Sequence, residues 1–199
     1  MFYAPSTQTI YPTAQHYADA RPEAGALGTE ADRNAAGLYM LYEIPPPFDP
    51  LKCTLHAAGV AQDEQGRWCL QYALSPLPAD VVRANLARAA SARRWAVETG
   101  GITLAGGARV GTTIDDQNRI TSVIANAQLA GVVSVNFKAQ SGWVTLSLEH
   151  MRGIAAAIAL HVQACFSAER AHHEAIAATS DAGLYGYDIN AGWPAGGNT

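Results

Sequence analysis

The sequence has little charge. Asp, Glu, Lys and Arg make up 15% of its 199 residues, against about 25% in an average soluble domain, and the formal net charge is −4. No run of Lys or Arg occurs, and the densest basic group is Arg88, Arg93 and Arg94 on one predicted helix. Because nucleic-acid binding needs several converging cations, this composition argues against a nucleic-acid partner and favours a subunit that is buried in an assembly.

Cysteine pairs, a leader segment and a long apolar run are also missing. The three cysteines, Cys53, Cys69 and Cys165, are odd in number and far apart, so we expect free thiols in a reducing compartment and no disulfide scaffold. The opening MFYAPSTQTIYPTAQ lacks the basic and apolar segments of a signal peptide. No uninterrupted apolar stretch approaches the ~20 residues of a membrane span. These features predict synthesis in the cytoplasm and no membrane span.

Signatures of catalysis are absent as well. In AGGARVGTT the last glycine, Gly111, is followed by Thr112 and not by the lysine of a P-loop, so its glycines indicate turns. There is no GxSxG or HExxH motif, and Ser141 falls in a predicted hairpin turn. Asp115 and Asp116 are adjacent, so on a helix they point about 100° apart and are typical of a helix start. The sequence predicts no catalytic residue, no metal ligand and no cofactor.

The first part of the chain contains scattered aromatic residues and then a β-hairpin pattern. Residues 1–36 show no helical or strand periodicity, and we interpret them as an extended arm that docks through Phe2, Tyr3 and Tyr11. Residues 37–78 predict a strand, LYMLYEI, that ends at three prolines, and a hairpin of LKCTLHAAGVAQ and RWCLQYAL joined by DEQG. An isolated hairpin is only marginally stable, so it is expected to pack on the preceding strand.

Residues 79–181 are predicted to form a small α+β domain. Ser75 or Asp80 caps a first helix that ends at TGG, and ITLAGGARVGTT follows as two short strands around a Gly-Gly turn. Thr113 or Asp115 then caps an inner helix, which a glycine closes.

A second hairpin and a long helix complete this domain. VVSVNFKAQSGWVTLS predicts two strands around a Ser-Gly turn, and Ser147 is the N-cap of a helix that runs to about Thr179. Residues 182–199 are a Gly-rich tail whose aromatic residues, including Trp193, are expected to lie on another surface. The predicted fold class is α+β: an extended N-terminal arm, a β-hairpin module, then two hairpins, an inner helix and a long C-terminal helix.

The long helix carries a stripe of residue types that bind metals, namely His161, Cys165, Glu169, His172 and His173. One zinc ion cannot bridge His161 and His172, which lie about 16 Å apart along a helix axis. A site would use a pair, such as His161 with Cys165 or Glu169 with His173, together with ligands from elsewhere in the chain. The spacing favours histidines at the edge of an apolar face, which either packs within the chain or forms a contact between copies of the chain.

Ordered motifs in two segments carry a family resemblance. The first comprises ASARRWAVETGGITLAGGARVGTT, then NFKAQSGWVTLSLEHMRGIAAAIALHVQACFSAERAHHEAI and the closing DINAGWP. It resembles an uncharacterised domain family found in tail proteins of tailed bacteriophages. Upstream, GLYMLYEIPPPFDP and GRWCLQYALSPLPADVV resemble a module of phage tail-fibre and fibre-assembly proteins. Together they cover about Gly37 to Pro194, and the resemblance carries over no catalytic residue.

The resemblance predicts a structural component of a phage tail tip, baseplate or tail fibre, which packs against other tail proteins in the virion. Tail fibres and spikes commonly have threefold symmetry, so the expected oligomer is a homotrimer with the long helix at the contact. The alternatives are a fibre-assembly chaperone that is absent from the virion, and a metal-dependent enzyme that uses the histidine stripe. The residues expected at interfaces are Met151, Ile154, Ile158, His161, Cys165, His172, Phe2, Tyr3, Tyr11 and Trp193.

Overall fold

A computed structural model describes residues 1–25, 27–139 and 142–196 of the chain. The chain divides into two units, Met1–Leu77 and Pro78–Thr199, each with its own internal packing. The division falls within the segment SPLPAD, where two prolines interrupt backbone hydrogen bonding.

A five-stranded sheet dominates the first unit. Its strands are β1 (Phe2–Ala4), β2 (Thr9–Tyr11), β3 (Tyr39–Tyr42), β4 (Cys53–Gln62) and β5 (Trp68–Pro76). They lie in the order β2-β1-β3-β5-β4, with β3 and β5 parallel and the other neighbours antiparallel. The predicted hairpin is therefore the β4–β5 pair, and it packs on the preceding strand β3, as expected.

Local sequence explains where these strands stop and turn. β3 ends ahead of Pro45, which begins a run of three prolines that lack amide donors. The β4–β5 turn uses Gly66 at φ 74°, a conformation that favours glycine, and Asp63 Oδ1 accepts hydrogen bonds from two turn amides. The strand register places Cys53 and Cys69 at opposite ends of the hairpin, and both thiols are free.

Residues 1–36 differ from the predicted extended arm, because they fold around a buried tyrosine. Besides β1 and β2 they contain α1 (Ala14–Ala20) and α2 (Glu30–Ala35). Tyr17 is 2% exposed, donates a hydrogen bond to the Ala36 carbonyl at 2.6 Å and packs edge-on against Tyr11. These helices and strands are only three to seven residues long, which is too short to show a hydrophobic periodicity in the sequence. Packing between residues distant in the sequence defines them instead.

In its described residues the second unit has three α-helices, two small hairpins and a short 3-10 helix. In chain order the α-helices and strands are α3 (Ala79–Thr99), β6 (Ile102–Thr103), β7 (Arg109–Val110), α4 (Ile114–Leu129), β8 (Ser134–Ala139), β9 (Gly142–Ser147) and α5 (Leu148–Ala178). This order confirms the predicted succession of elements. The predicted turn residue Ser141 lies outside the described residues.

The helix starts show which capping predictions hold. Ser147 accepts a hydrogen bond from the amide of His150 at the start of α5, and Thr113 forms a reciprocal capping box with Asp116 at the start of α4. The predicted caps of α3, Ser75 or Asp80, are wrong: α3 begins after Pro78, which has no capping side chain. Proline suits this place because its fixed φ is already compatible with a helix start.

The core of the second unit lies between α4, α5 and the two hairpins. Its buried members are Ile102, Val110, Ile120, Met151 and Ile158. The β8–β9 hairpin lays Val135, Phe137 and Leu146 against them. Burying each large apolar side chain contributes about 1.5–3 kcal/mol, so this core holds one side of α5 in place.

The fold class is mixed α+β, as the sequence predicts. The structure has a curled five-stranded sheet, small hairpin sheets and a long C-terminal helix. After α5 the chain forms a short 3-10 turn, Gly183–Gly186, whose Leu184 is fully buried. The C-terminal segment therefore adds one side chain to the core of this unit.

Candidate functional site

A buried ionic cluster joins α3 to α5. Arg94 forms ion pairs with Glu98 on the same helix and with Glu169 on α5, where Nε lies 3.0 Å from Oε2 but outside hydrogen-bond geometry. Glu98 is only 3% exposed. The Arg94 guanidinium also lies 4.6 Å from the ring centroid of Phe166. We call Arg94, Glu98 and Glu169 the ionic cluster.

His161 and Cys165 lie beside the ionic cluster and are buried. Nε2 of His161 donates to the carbonyl of Val97 at 3.1 Å, near the end of α3, where the same carbonyl also accepts from the Gly100 amide. Cys165 Sγ lies 3.7 Å from the same nitrogen. Burial, with the nearby Glu98 carboxylate, raises the pKa of the Cys165 thiol to about 11. The Cys165 thiol is therefore neutral, and His161 hydrogen-bonds to the end of α3. Both arrangements are typical of packing side chains and not of a nucleophile with its base.

A second contact between α3 and α5 lies at the opposite end of these two helices. Arg83 on α3 donates to the carbonyls of Ile176 and Thr179 and pairs with Asp181 at 3.0 Å. Each helix thus supplies a side chain that donates to carbonyls at the end of the other. The two helices run antiparallel, because Arg83 near the start of α3 meets the end of α5.

The histidine stripe does not gather into a metal site. Glu169 Oε1 lies 3.8 Å from His173 Nε2, but the same carboxylate is held by Arg94. Among residues 1–25, 27–139 and 142–196, no group of three His, Cys, Asp or Glu side chains is arranged to hold an ion. In the structure His161 and His172 act as hydrogen-bonding partners of the protein itself.

We expect Cys165 to resist alkylation in the native protein while Cys53 reacts. With a pKa near 11, roughly one Cys165 thiol in a thousand is ionised at pH 8, and it is also buried. Cys53 is half-buried. Iodoacetamide labelling followed by peptide mass spectrometry checks this. Fast labelling of Cys165 without denaturant contradicts the closed α3–α5 contact.

His172 fastens the C-terminal segment to α5. Its Nε2 donates to the Ala191 carbonyl at 2.9 Å, so Nδ1 is the acceptor for the Tyr187 hydroxyl at 2.7 Å. The ring of Trp193 stacks on the imidazole with centroids 4.8 Å apart, and the Trp193 indole donates to Ile189. Burial raises the pKa of Tyr187, with a further contribution from Asp188. The predicted aromatic tail thus lies on its own helix.

Replacing Trp193 by alanine is expected to loosen this segment. The lost stacking and buried area correspond to about 1–2 kcal/mol of unfolding free energy, and residues after α5 should become more sensitive to protease. Denaturant titration and limited proteolysis measure the two effects. Trp143→Ala is the matched control, because Trp143 is 74% exposed and its loss should change stability by under ~0.5 kcal/mol. Equal effects of both changes would contradict this contact.

The predicted interface residues lie on α5 and in the first unit, and most of them pack inside their own unit. Met151, Ile158 and Cys165 are buried in the core of their own chain, and Ile154 is packed at its margin. In the first unit, Tyr3 is buried 5.0 Å from the ring of Trp68, and Phe2 and Tyr11 pack at the margin of the core around Tyr17. Within one chain, therefore, these side chains are already occupied by internal packing.

The opposite side of α5 is exposed, and its middle part has mostly small side chains with one leucine and one glutamine, between Glu149 and Glu174 towards the two ends of the helix. We call it the outer face, and its members are Gly153, Ala156, Leu160, Gln163, Ala164, Ser167 and Ala171. At 100° per residue they span about 100° of the helix surface. Leu160 is 73% exposed. Hydrophobic periodicity could have indicated this face, but small residues give it a weak signal.

By length and composition alone, α5 could cross a membrane, and only 22% of its most apolar 18-residue window is buried. The prediction of no membrane span rests on the length of uninterrupted apolar runs in the sequence. In α5 these runs are interrupted by Arg152, His161 and Gln163. One side of this helix is held by α3 and the core. The outer face thus stays open in the single chain.

A hollow in the first unit lacks the groups for acid–base or nucleophilic catalysis. It has a volume of about 390 Å³ and is lined by Pro5, Ser6, Gly37, Tyr39, Gln62, Gly66 and Trp68. No carboxylate, imidazole or thiol is among these residues. Its aromatic and amide groups suit contact with another surface more than bond-breaking chemistry.

Comparison with known proteins gives one family. The family model described as Domain of unknown function (DUF4376) matches residues 81–191, more than half of the chain. The matched range includes the ionic cluster, His161, Cys165 and His172. No curated protein and no solved structure matches the chain.

Proposed function

We propose that this chain, which belongs to the DUF4376 family, is a structural component of a bacteriophage tail tip, baseplate or tail fibre. It acts by packing against other proteins of the virion. The observation that carries the packing role is the outer face of α5: a 31-residue helix that leaves most of its apolar window uncovered. The phage assignment rests on the motif resemblance of residues 37–194.

Other exposed apolar side chains support an assembly role. Leu129 at the end of α4 is 87% exposed and Val133 ahead of β8 is 80% exposed. Trp143 lies on the outward side of the β8–β9 hairpin, opposite the face that covers the core. Single exposed apolar residues are common on soluble proteins, and contiguous exposed patches are the ones that mark interaction surfaces. Several such positions in one unit fit a protein with more than one neighbour.

The occupant that we propose for the outer face is a second copy of this chain. From Gly153 to Ala171 the face is about 27 Å long, so one helix contact covers roughly 300 Å² per copy, against about 800 Å² in a standard interface. A single pair is therefore weak. A closed threefold arrangement gives each helix two neighbours, so a homotrimer is favoured over a dimer.

The arrangement of the titratable groups argues against the enzyme alternative. Cys165 is a neutral thiol, Glu169 is held by Arg94, and His161 and His172 hydrogen-bond to helix or tail groups. Each of these side chains already has a structural partner. No specific contact favours the remaining alternative, a fibre-assembly chaperone, over a virion component.

Mass spectrometry of purified virions tests this function. If the chain is a tail component, its peptides are present in mature particles of the phage that encodes it, at a constant ratio to known tail proteins. The chaperone alternative predicts the chain in infected-cell lysate and its absence from particles. Absence from particles therefore contradicts the structural role, whatever the oligomeric state.

A further inference from the structure

The hollow of about 390 Å³ on the five-stranded sheet of the first unit is lined by aromatic and uncharged polar groups. Three strands contribute to it, through Tyr39 on β3, Gln62 on β4 and Trp68 on β5. Trp68 is paired with Gln62 across β4 and β5, so both side chains point to the same face of the sheet. Tyr39 shares that face, because it lies two residues before Leu41, the β3 partner of Trp68. We call this hollow the aromatic pocket.

The side chains of the aromatic pocket are held in place by the sheet. The Trp68 ring centroid lies 5.0 Å from the ring of the buried Tyr3 and 6.3 Å from the ring of Tyr39. These separations are typical of aromatic pairs that attract one another. The Gln62 side chain donates to the Gly66 carbonyl at 3.1 Å. Because these groups are already ordered, a ligand that binds them loses less entropy.

The polar groups of the aromatic pocket include several hydrogen-bond donors. An indole N–H can only donate, and in the described part of the chain nothing accepts from the one of Trp68. The Tyr39 hydroxyl has no hydrogen-bond partner there either, and the Gln62 amide keeps a second N–H besides the one that meets Gly66. The pocket therefore suits a ligand with hydrogen-bond acceptors and apolar rings but no charge.

The chain itself carries a segment with this chemistry, directly after β3. Residues 44–48, IPPPF, form neither helix nor strand, and their three prolines are exposed. Ile44 is 60% exposed and Phe48 is 41% exposed. Consecutive prolines favour the polyproline II conformation, whose carbonyls have no internal partner. Because proline has no N–H, this proline segment presents acceptors and apolar rings at three successive positions.

The proline segment does not fill the aromatic pocket of its own chain. None of residues 44–48 is in the pocket lining. β3 and β5 are parallel, with Leu41 beside Trp68, so the chain leaves β3 in the direction in which β5 runs, away from the Trp68 end. An occupant with this sequence therefore comes from another copy of the chain.

We propose that the aromatic pocket of one copy binds the proline segment of the next copy. The proline rings lie against Tyr39 and Trp68, and the Trp68 indole donates to a prolyl carbonyl. Aromatic-lined grooves recognise proline-rich segments by this chemistry. The contact joins two different surfaces, so threefold symmetry closes it into a ring. That closure rests on the proposed homotrimer, whereas binding of the segment to the pocket does not.

Nuclear magnetic resonance titration of the full chain with a synthetic peptide tests this site. The peptide is EIPPPFDP, residues 43–50, and the chain is kept dilute so that its copies are separate. We expect saturable shifts of the Trp68 indole N–H and of the amides of Gly37 and Gly66. The peptide EIAAAFDP has the same length and charge, but it should bind at least ~10-fold more weakly, because a more flexible ligand loses more entropy on binding.

Substitutions in the pocket give a second readout. Trp68→Phe keeps a ring but removes the indole donor, and it should weaken binding of EIPPPFDP about tenfold. Gln62→Ala changes an exposed side chain, so the fold should persist, and it should weaken binding about fivefold. Trp143→Phe is the matched control, because it makes the same change at a 74% exposed tryptophan outside the pocket, and it should bind as the natural chain does.

Two results overturn this proposal. One is the lack of saturable shifts with EIPPPFDP, and the other is equal binding of the two peptides. Neither result depends on the presence of the chain in virions or on self-association through the outer face. A failure of the aromatic pocket to bind the peptide is thus distinguishable from a failure of the proposed function.

Discussion

Replacing Arg94 by methionine is expected to lower the free energy of unfolding by about 3–5 kcal/mol, the largest effect of any single change considered for this protein. Methionine keeps most of the apolar stem but removes the charge between Glu98 and Glu169. Glu98 is 3% exposed, so its carboxylate would remain buried without its cation. Urea or thermal unfolding followed by circular dichroism measures the loss.

Two further variants separate the charge effect from packing. Arg88→Met is an exposed substitution on the same helix and should cost under ~0.5 kcal/mol. In a Glu98→Gln background, Arg94→Met should cost at least ~1 kcal/mol less than in the natural chain, because one buried charge is already gone. A loss below about 1 kcal/mol for Arg94→Met alone would show that the ionic cluster does not hold α3 against α5.

Replacing Leu160 by glutamate is expected to abolish self-association, with the association constant reduced at least ~100-fold. The change places a carboxylate at the centre of the outer face, where copies related by symmetry would bring like charges together. Leu160 is 73% exposed, so the isolated chain should keep its unfolding free energy within about 0.5 kcal/mol. Sedimentation velocity over a concentration series measures the change in association.

Leu129→Glu is the matched control for this experiment. It introduces the same charge at a leucine that is even more exposed but lies at the end of α4 and is not a member of the outer face of α5. Its self-association should equal that of the natural chain. If both variants associate as the natural chain does, the outer face is not the contact between copies.

Local signals in the sequence predict much of this fold. The β4–β5 hairpin follows from alternation around a Gly turn, and α4 follows from Thr113 with Asp116 ahead of an apolar pattern. The start of α3 is missed because Pro78 supplies backbone geometry and no capping side chain. Residues 1–36 are missed because their helices and strands depend on packing around Tyr17.

The candidate site is harder to predict from the sequence, because the residues that contact one another there are far apart along the chain. Arg94 with Glu98 has the i,i+4 spacing of a helical ion pair, and the sequence indicates it. Nothing local indicates Glu169, which lies 75 residues after Arg94 and completes the cluster only when α3 meets α5. The same holds for His172, whose partners Tyr187 and Trp193 reach it through a turn of the chain.

The apolar stripe of α5 shows a different limit of prediction from sequence. Periodicity identifies the face that contains Met151, Ile158 and Cys165, but it cannot say whether that face covers a second copy or the chain's own core. The structure places it in the chain's own core. The contact between copies that we propose therefore lies on the outer face, where small residues and one leucine give little hydrophobic signal.

The measurement that tests the central claim most directly is sedimentation equilibrium of the purified full chain at high micromolar concentration. Self-association through the outer face of α5 predicts a reversible oligomer with a limiting mass three times the 21.0 kDa chain, about 63 kDa. A single 21.0 kDa species across the whole concentration range would contradict the proposal that this helix packs against copies of itself.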